Sequence, residues 1–324
     1  MLDELESERP GGMVKYSFAQ AATAWVERHR RWSPKTLKET RYALRRYILP
    51  ALGGTRFDRI TPAQIEDLYA SWVDEGRADA TMRRWHGIIR SIFADAMRLG
   101  ILSKDPMVRV TPAGGHAPER LHIPAPAEVR RAIDAATPVA SIAFELAAVT
   151  GARRGTIVAL RWRDVDLEGA TIVFSHAIAV GENGPVMKGT KTNRPYAVSL
   201  GESVLARLRE HKRRATETAM NLGRAGDLRD LFVFSSDGGV TPWRPENLTH
   251  AWSVACARAE VVGSRLHDLR HFAASQMLAA RFSHRTVAER LGCTETNVLK
   301  TYSHWVPTLD DARAAEVMED VLSG

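Results

Sequence analysis

Five prolines and a glycine pair, Pro106, Pro112, Gly114, Gly115, Pro118, Pro124 and Pro126, interrupt this 324-residue chain near its first third. Proline has no amide donor and its ring clashes with the preceding helical turn. It also removes a ladder bond from a strand, so no helix or strand can run through 103–126. The chain must therefore fold as two bodies joined by a linker, and its length suits two domains of roughly 100–200 residues each. The boundaries read as an acidic tail at 1–14, a helical domain at 15–104, a linker at 105–121, a larger domain at 122–307 and a C-terminal segment at 308–324.

Charge separates the two bodies further. Residues 15–104 carry 17 Lys and Arg against 9 Asp and Glu, whereas residues 105–324 carry 27 against 25. A domain this basic expects a polyanionic partner, although an excess of charge also keeps a small domain in solution. With 44% apolar and 26% charged residues the composition is that of a soluble globular protein. No apolar run reaches the roughly 18–20 residues of a membrane span, and the start MLDELESERPGG lacks the apolar core of a signal peptide. Cys256 and Cys293, the only cysteines, are too few for a disulfide framework. The expected setting is a reducing bacterial cytoplasm with no membrane partner.

Helical signals dominate the first domain. Ser33-Pro34 and Thr61-Pro62 each place an N-capping side chain before a proline at the first helical position. Leu37, Leu44, Ile48 and Ala51 recur at helical spacing, as do Trp85, Ile88, Ile89, Ile92, Phe93 and Ala96 before the stop at Gly100. Lys38, Arg41 and Arg45 are spaced i, i+3, i+7, and so are Arg83, His86 and Arg90; both triplets are expected on exposed faces that meet a duplex backbone. A solvated helix face would carry the same residues. The second domain reads as mainly helical with a small antiparallel sheet: a helix at 141–149, a helix IVALRW at 157–162, a strand ATIVFSHAIAV at 170–180, a turn GENG at 181–184, strands near 185–191 and 196–200, and one more at 231–234.

Four short blocks in the second domain carry chemistry: TGARR at 150–154, KGTKTNR at 188–194, HDLRH at 267–271, and LGC at 291–293 followed by TYSH at 301–304. Taken singly, the first, second and fourth read more simply as a helix cap, a solvated hairpin tip and a half-buried tyrosine. His267 and His271 at i, i+4 would also suit zinc. The zinc-protease pattern, however, has Glu where Asp268 stands, and Arg270 adds a cation beside the ion, so no metal is expected. As a set the blocks have one purpose. Two guanidiniums can clamp the non-bridging oxygens of a phosphodiester and stabilise its pentavalent transition state. A tyrosine hydroxyl can attack phosphorus, and His and Lys can move the protons. No Mg²⁺-binding carboxylates and no cofactor are needed.

The order and wording of these blocks resemble the tyrosine recombinase, or phage integrase, family over nearly the whole chain. The resemblance implies a helical core-binding domain followed by an α+β catalytic domain, mainly α with a small antiparallel sheet. TGARRG…LRW looks like the family's first arginine box, KTNRPYAVSL like its lysine hairpin, HDLRH like its His-x-x-Arg box, and LGC…TYSH like the block that ends in the nucleophile. It implies that Arg153 and Arg270 bind the scissile phosphate. Lys191 protonates the 5′-oxygen, with Lys188 as runner-up, His267 assists as acid–base, and Tyr302 becomes linked to the 3′-phosphate. The implied partners are double-stranded DNA at attachment sites and three further copies of the chain, with room for an accessory directionality factor. The segment 308–324, with Ala314, Val317, Met318, Val321 and Leu322 on one stripe, is expected as a helix that docks on a neighbouring protomer.

Two positions depart from the pattern. An acidic residue usually stands three positions after the first arginine, where this chain has Thr156, and Cys293 replaces the usual His or Trp before the nucleophile. A thiol is a weak donor. Three functions follow. The chain is an integrase of a prophage or other mobile element, or it applies the same chemistry to chromosome-dimer resolution or transposition, or it binds DNA without cleaving it. A type IB topoisomerase shares the catalytic logic but fits the domain plan less well.

Overall fold

The computed structural model describes residues 16–29, 31–111, 122–181, 184–189, 194–223 and 228–302. The tail at 1–14, most of the linker, Lys191 and the segment 308–324 lie outside the described residues. The chain divides into two compact units, residues 1–119 and 120–324. Among the described residues, no helix is long and apolar enough to cross a membrane.

The first unit is helical: α1 (Phe18–Arg28), α2 (Pro34–Ala43), α3 (Leu49–Leu52), α4 (Pro62–Asp74) and α5 (Asp79–Arg98). Local chemistry sets the starts. Ser17 and Thr61 each accept from the backbone amide three residues on, while Gln20 and Gln64 reach back to the cap amides, closing two capping boxes. Ser33 caps α2 by accepting from Thr36 N at 3.2 Å. Between α2 and α3 the backbone widens into a π turn, Leu44–Ile48. That turn adds a residue per cycle and moves the apolar stripe on by one, so Leu52 is buried and Ala51, expected on the stripe, is exposed. The core is aromatic, with Phe57 stacked on Phe93 at 4.9 Å and Trp72 edge-on to Trp85 at 4.8 Å. Met107 and Val110 of the linker's first turn join it.

Lys38, Arg41, Arg45, Arg83 and Arg90 are exposed, as the spacing requires. His86 is not on that face. It is buried, and its Nδ1 lies 2.8 Å from the Tyr69 hydroxyl. The i+3 position sits at the edge of the polar stripe, and satisfaction of a buried tyrosine turns it inward. Burial, followed by Arg90, lowers the pKa of His86 and keeps it neutral.

The second unit has α6 (Pro126–Asp134), α7 (Pro138–Thr150), α8 (Arg154–Ile157), α9 (Glu202–Asn221), α10 (Pro245–Arg258), α11 (Asp268–Ala279), α12 (His284–Leu291) and α13 (Glu295–Tyr302). Its strands are β1 (Val165–Asp166), β2 (Thr171–Phe174), β3 (His176–Gly181), β4 (Gly184–Gly189) and β5 (Tyr196–Ser199). All pairings are antiparallel, in a sheet of order β1-β2-β5 and a separate β3-β4 ribbon. Mainly helical with small antiparallel sheets is the expected class. Three local expectations fail. The strand expected over 170–180 is two strands, because the ladder partner changes from β5 to β4 at Ser175. The helix expected at 157–162 is the single turn α8, and the buried residues 158–160 continue as connecting chain. The strand expected at 231–234 is an isolated bridge, Arg161 to Phe232, anchored by Phe232 N to Gly239 O and Val233 N to Leu160 O. Apolar α7 runs through the core, with Phe144 edge-on to Trp252 at 5.0 Å.

The inward turn of His86 has a measurable consequence. Arg45→Ala and Arg90→Ala should each lower the log–log salt slope of duplex binding by about 0.9. His86→Ala should leave the slope alone and cost about 1–3 kcal/mol of stability, because it strands the buried Tyr69 hydroxyl. Salt-titrated binding and denaturant unfolding measure the two effects separately.

Candidate active site

Where α7 ends, Gly151 adopts the left-handed conformation, φ +64. A Cβ there would lie 2.1 Å from Leu291 Cδ2 and 3.3 Å from Ala273 Cβ, so the position requires glycine on both counts. The turn is secured by Thr150, whose Oγ1 donates to Leu146 O and accepts from Ala152 N at 3.1 Å. The chain leaves it extended, so Arg153 departs before α8 has begun (φ −69, ψ 146). Its Nη1 donates to Gly292 O at 3.4 Å.

Arg270 enters from the first turn of α11 and is 7% exposed. Its Nη1 donates to Gly151 O and to Leu291 O, both at 2.7 Å. Those carbonyls belong to the C-terminal ends of α7 and α12, where helical carbonyls lack partners and the helix dipole favours a cation. The guanidinium is thus held by neutral dipoles. Among the described residues neither Arg153 nor Arg270 forms an ion pair with a carboxylate. The carboxylate on α11 itself, buried Asp268, accepts from Arg265 N at 2.7 Å and pairs with the Arg265 side chain. Burial, and next the charge of Arg270, lowers the pKa of Arg153. An anion between the two would relieve that strain.

Tyr302, the last residue of α13, is 4% exposed, with its hydroxyl 2.8 Å from His271 Nδ1. Burial first, then Cys293, pushes its pKa up to about 12, against the opposing pull of Arg270 and Arg153. Burial likewise lowers the pKa of His271, so the bond joins an intact phenol to a neutral imidazole. One helical turn earlier, His267 meets His271 edge-on at 5.0 Å. Its outer edge is open to solvent, yet the surrounding protein, followed by His271 and Arg270, holds its pKa well below the ordinary value.

Of the residues picked out in the sequence, Arg153, His267, Arg270, Cys293 and Tyr302 come together here. Lys191 lies outside the described residues. Lys188 is exposed on β4, opposite Ala177. Thr156 is buried and puts no carboxylate near Arg153. Two further residues stand in the same cluster and were not picked out in the sequence. His271 was legible only as the end of HDLRH, and its i+4 spacing from His267 was the one signal that it shares the site. Tyr196, inside KTNRPYAVSL, packs its ring on Gly292, and nothing local to its sequence marks it.

Gly151→Ala should destabilise the second unit by at least the 1–2 kcal/mol of a left-handed alanine, with the Leu291 contact adding to it. A melting point lower by about 2–4 °C per kcal/mol is expected. An unchanged melting point would show that this turn yields freely.

The phage integrase family profile matches residues 125–307, and the phage integrase central domain profile matches 18–113. The XerC-like tyrosine recombinase of Caldanaerobacter subterraneus subsp. tengcongensis is 24% identical over 308 residues, spanning 89% of this chain and 78% of that protein. Among solved structures, the Tn1549 transposon integrase in complex with circular intermediate DNA superposes with a TM-score of 0.77. It is 15% identical, over 93% of this chain and 99% of that one. The lambda integrase tetramer bound to a Holliday junction gives 0.63 at 18% identity, over 88% and 78%. These likenesses are of fold. The two profiles together span both compact units in the family's order, and the chain belongs to the phage integrase family.

Proposed function

We propose that the chain is a site-specific DNA recombinase that integrates or excises a mobile element through a 3′-phosphotyrosyl intermediate. One observation carries the reading: two guanidiniums, neither paired with a carboxylate among the described residues, act on a protonated, buried tyrosine hydroxyl. Strong donors free of a protein anion suit a phosphodiester, and preorganised charge around the reacting phosphorus lowers the barrier without reorganisation.

In the step so assigned, Arg153 and Arg270 hold the two non-bridging oxygens. The Tyr302 oxygen bonds to phosphorus as the bond to the 5′-oxygen breaks. The phenolic proton passes to the His271 Nδ1 that it already faces, with His267 as the second acid–base group. Lys191, in the family's hairpin position, supplies the proton that the 5′-oxygen takes up. The bound phosphodiester brings a negative charge beside two histidines whose pKa values burial, and then nearby arginines, depress, which makes them better proton acceptors. Religation to another 5′-hydroxyl reverses each transfer, so the exchange needs no nucleotide. Two exchanges on two duplexes require four protomers, as in the tetrameric assembly of lambda integrase on a junction. Attachment-site DNA and an accessory directionality factor complete the proposed partners.

Tyr302→Phe removes only the nucleophilic oxygen. It should abolish covalent capture of a nicked duplex site and leave DNA affinity unchanged. A Phe variant that still forms the adduct would move the nucleophile elsewhere.

Lys191 and Lys188 are separable by leaving-group chemistry. A 5′-bridging sulfur departs without a proton, so a 5′-thio substrate should restore cleavage to Lys191→Ala. Restoration of Lys188→Ala instead would exchange the two assignments.

A further inference from the structure

The Tyr196 hydroxyl is buried and has no hydrogen-bond partner among the described residues. An orphaned buried hydroxyl costs about 1–3 kcal/mol, and a phenylalanine would keep the ring without that cost. Such a group calls for a reason beyond packing.

Its surroundings supply one. Tyr196 opens β5, and its ring lies close against Gly292, where a Cβ would come within 2.3 Å of Cε1 and 2.6 Å of Cδ1 and Cζ. Gly292 is the same residue whose carbonyl accepts from Arg153. The residue before it, Leu291, offers its carbonyl to Arg270, and the residue after it is Cys293. The ring is therefore wedged among the anchor points of both guanidiniums. Burial pushes the Tyr196 pKa up to about 12 while Arg270 and Arg153 pull it down, which keeps the proton on the oxygen and the oxygen within the field of both cations.

We propose that the Tyr196 hydroxyl is a catalytic hydrogen-bond donor to a non-bridging oxygen of the scissile phosphodiester, doing there what the Cys293 thiol does poorly. The inference rests on the recombinase reading of this site. Thiols donate weakly, so a site with cysteine at this position gains most from a second donor. A phosphate bridging the two arginines offers the partner that the hydroxyl lacks. The contact strengthens as charge builds on the pentavalent phosphorus, which is where a donor accelerates the reaction rather than merely tightening binding.

Tyr196→Phe tests this against packing. With a nicked duplex that traps the covalent adduct, single-turnover cleavage should slow on the order of a hundredfold, the usual effect of removing one transition-state donor. DNA affinity should be unchanged, and the melting point unchanged or raised, because an unsatisfied hydroxyl has been removed. In a Cys293→His background, where imidazole supplies a stronger donor, the same substitution should cost less than about tenfold, a coupling read from the double-mutant cycle. A Tyr196→Phe rate equal to the parent's overturns the inference. So does an equal loss in both backgrounds with a lowered melting point, which would make Tyr196 a packing residue. If the parent forms no Tyr302-dependent adduct, the recombinase reading falls and takes this inference with it; a parent adduct with an undiminished Phe variant sinks the inference alone.

Discussion

The bond pair from Arg270 Nη1 to Gly151 O and Leu291 O is the constraint on which the site depends. It joins residues 119 and 21 positions apart and fastens the ends of two helices to a third. A buried guanidinium needs compensation, and a carboxylate would be the simple answer. Here two helix C-termini serve instead. Their carbonyl dipoles satisfy the donors without cancelling the charge, so the cation stays available to an anion from outside. A carboxylate in the same place would give a comparably ordered core and an electrostatically closed site.

The same logic fixes the state of Tyr302, the proposed nucleophile. Tyr302 is buried beside two cations that favour the phenolate, yet burial outweighs them and the hydroxyl keeps its proton. His271, also neutral, shares a hydrogen bond with that hydroxyl, Nδ1 to oxygen 2.8 Å. The resting site thus holds a strained set of like charges and an unreactive phenol together. The proposed phosphodiester substrate would change both at once, since it would neutralise the repulsion between Arg153 and Arg270 and make the histidines more basic. In the proposed reaction, substrate binding and activation of the nucleophile are one electrostatic event.

Local features were legible in the sequence. The capped helix starts at Ser33 and Thr61, the buried stripe from Trp85 to Ala96 and the four blocks of the second unit each depend on residues a few positions apart. What stayed hidden depends on distant partners. His86 fits the spacing of an exposed stripe, and only Tyr69, seventeen positions away, turns it inward. Ala51 and Leu52 trade places because a π turn between α2 and α3 shifts the helical phase, which no periodicity count includes. The single β-branched run at 170–180 serves two sheets because β4 and β5 claim different halves of it. His271 and Tyr196 join the site through Tyr302 and Gly292; the spacing of His271 from His267 is its one local trace, and Tyr196 has none.

Gly151 and Gly292 show how little sequence such a site requires. Each ends a helix in the left-handed conformation, φ +64 and φ +59. Read locally, each is a stop signal and nothing more. In the folded chain Gly151 offers one of the carbonyls that hold Arg270 and Gly292 the one that holds Arg153, and the missing side chains admit Leu291 at one glycine and the Tyr196 ring at the other. Any larger residue would undo the helix end, the arginine anchor and the close packing together. The termination of two helices and the anchoring of both arginines are therefore a single structural requirement, met by the absence of two Cβ atoms.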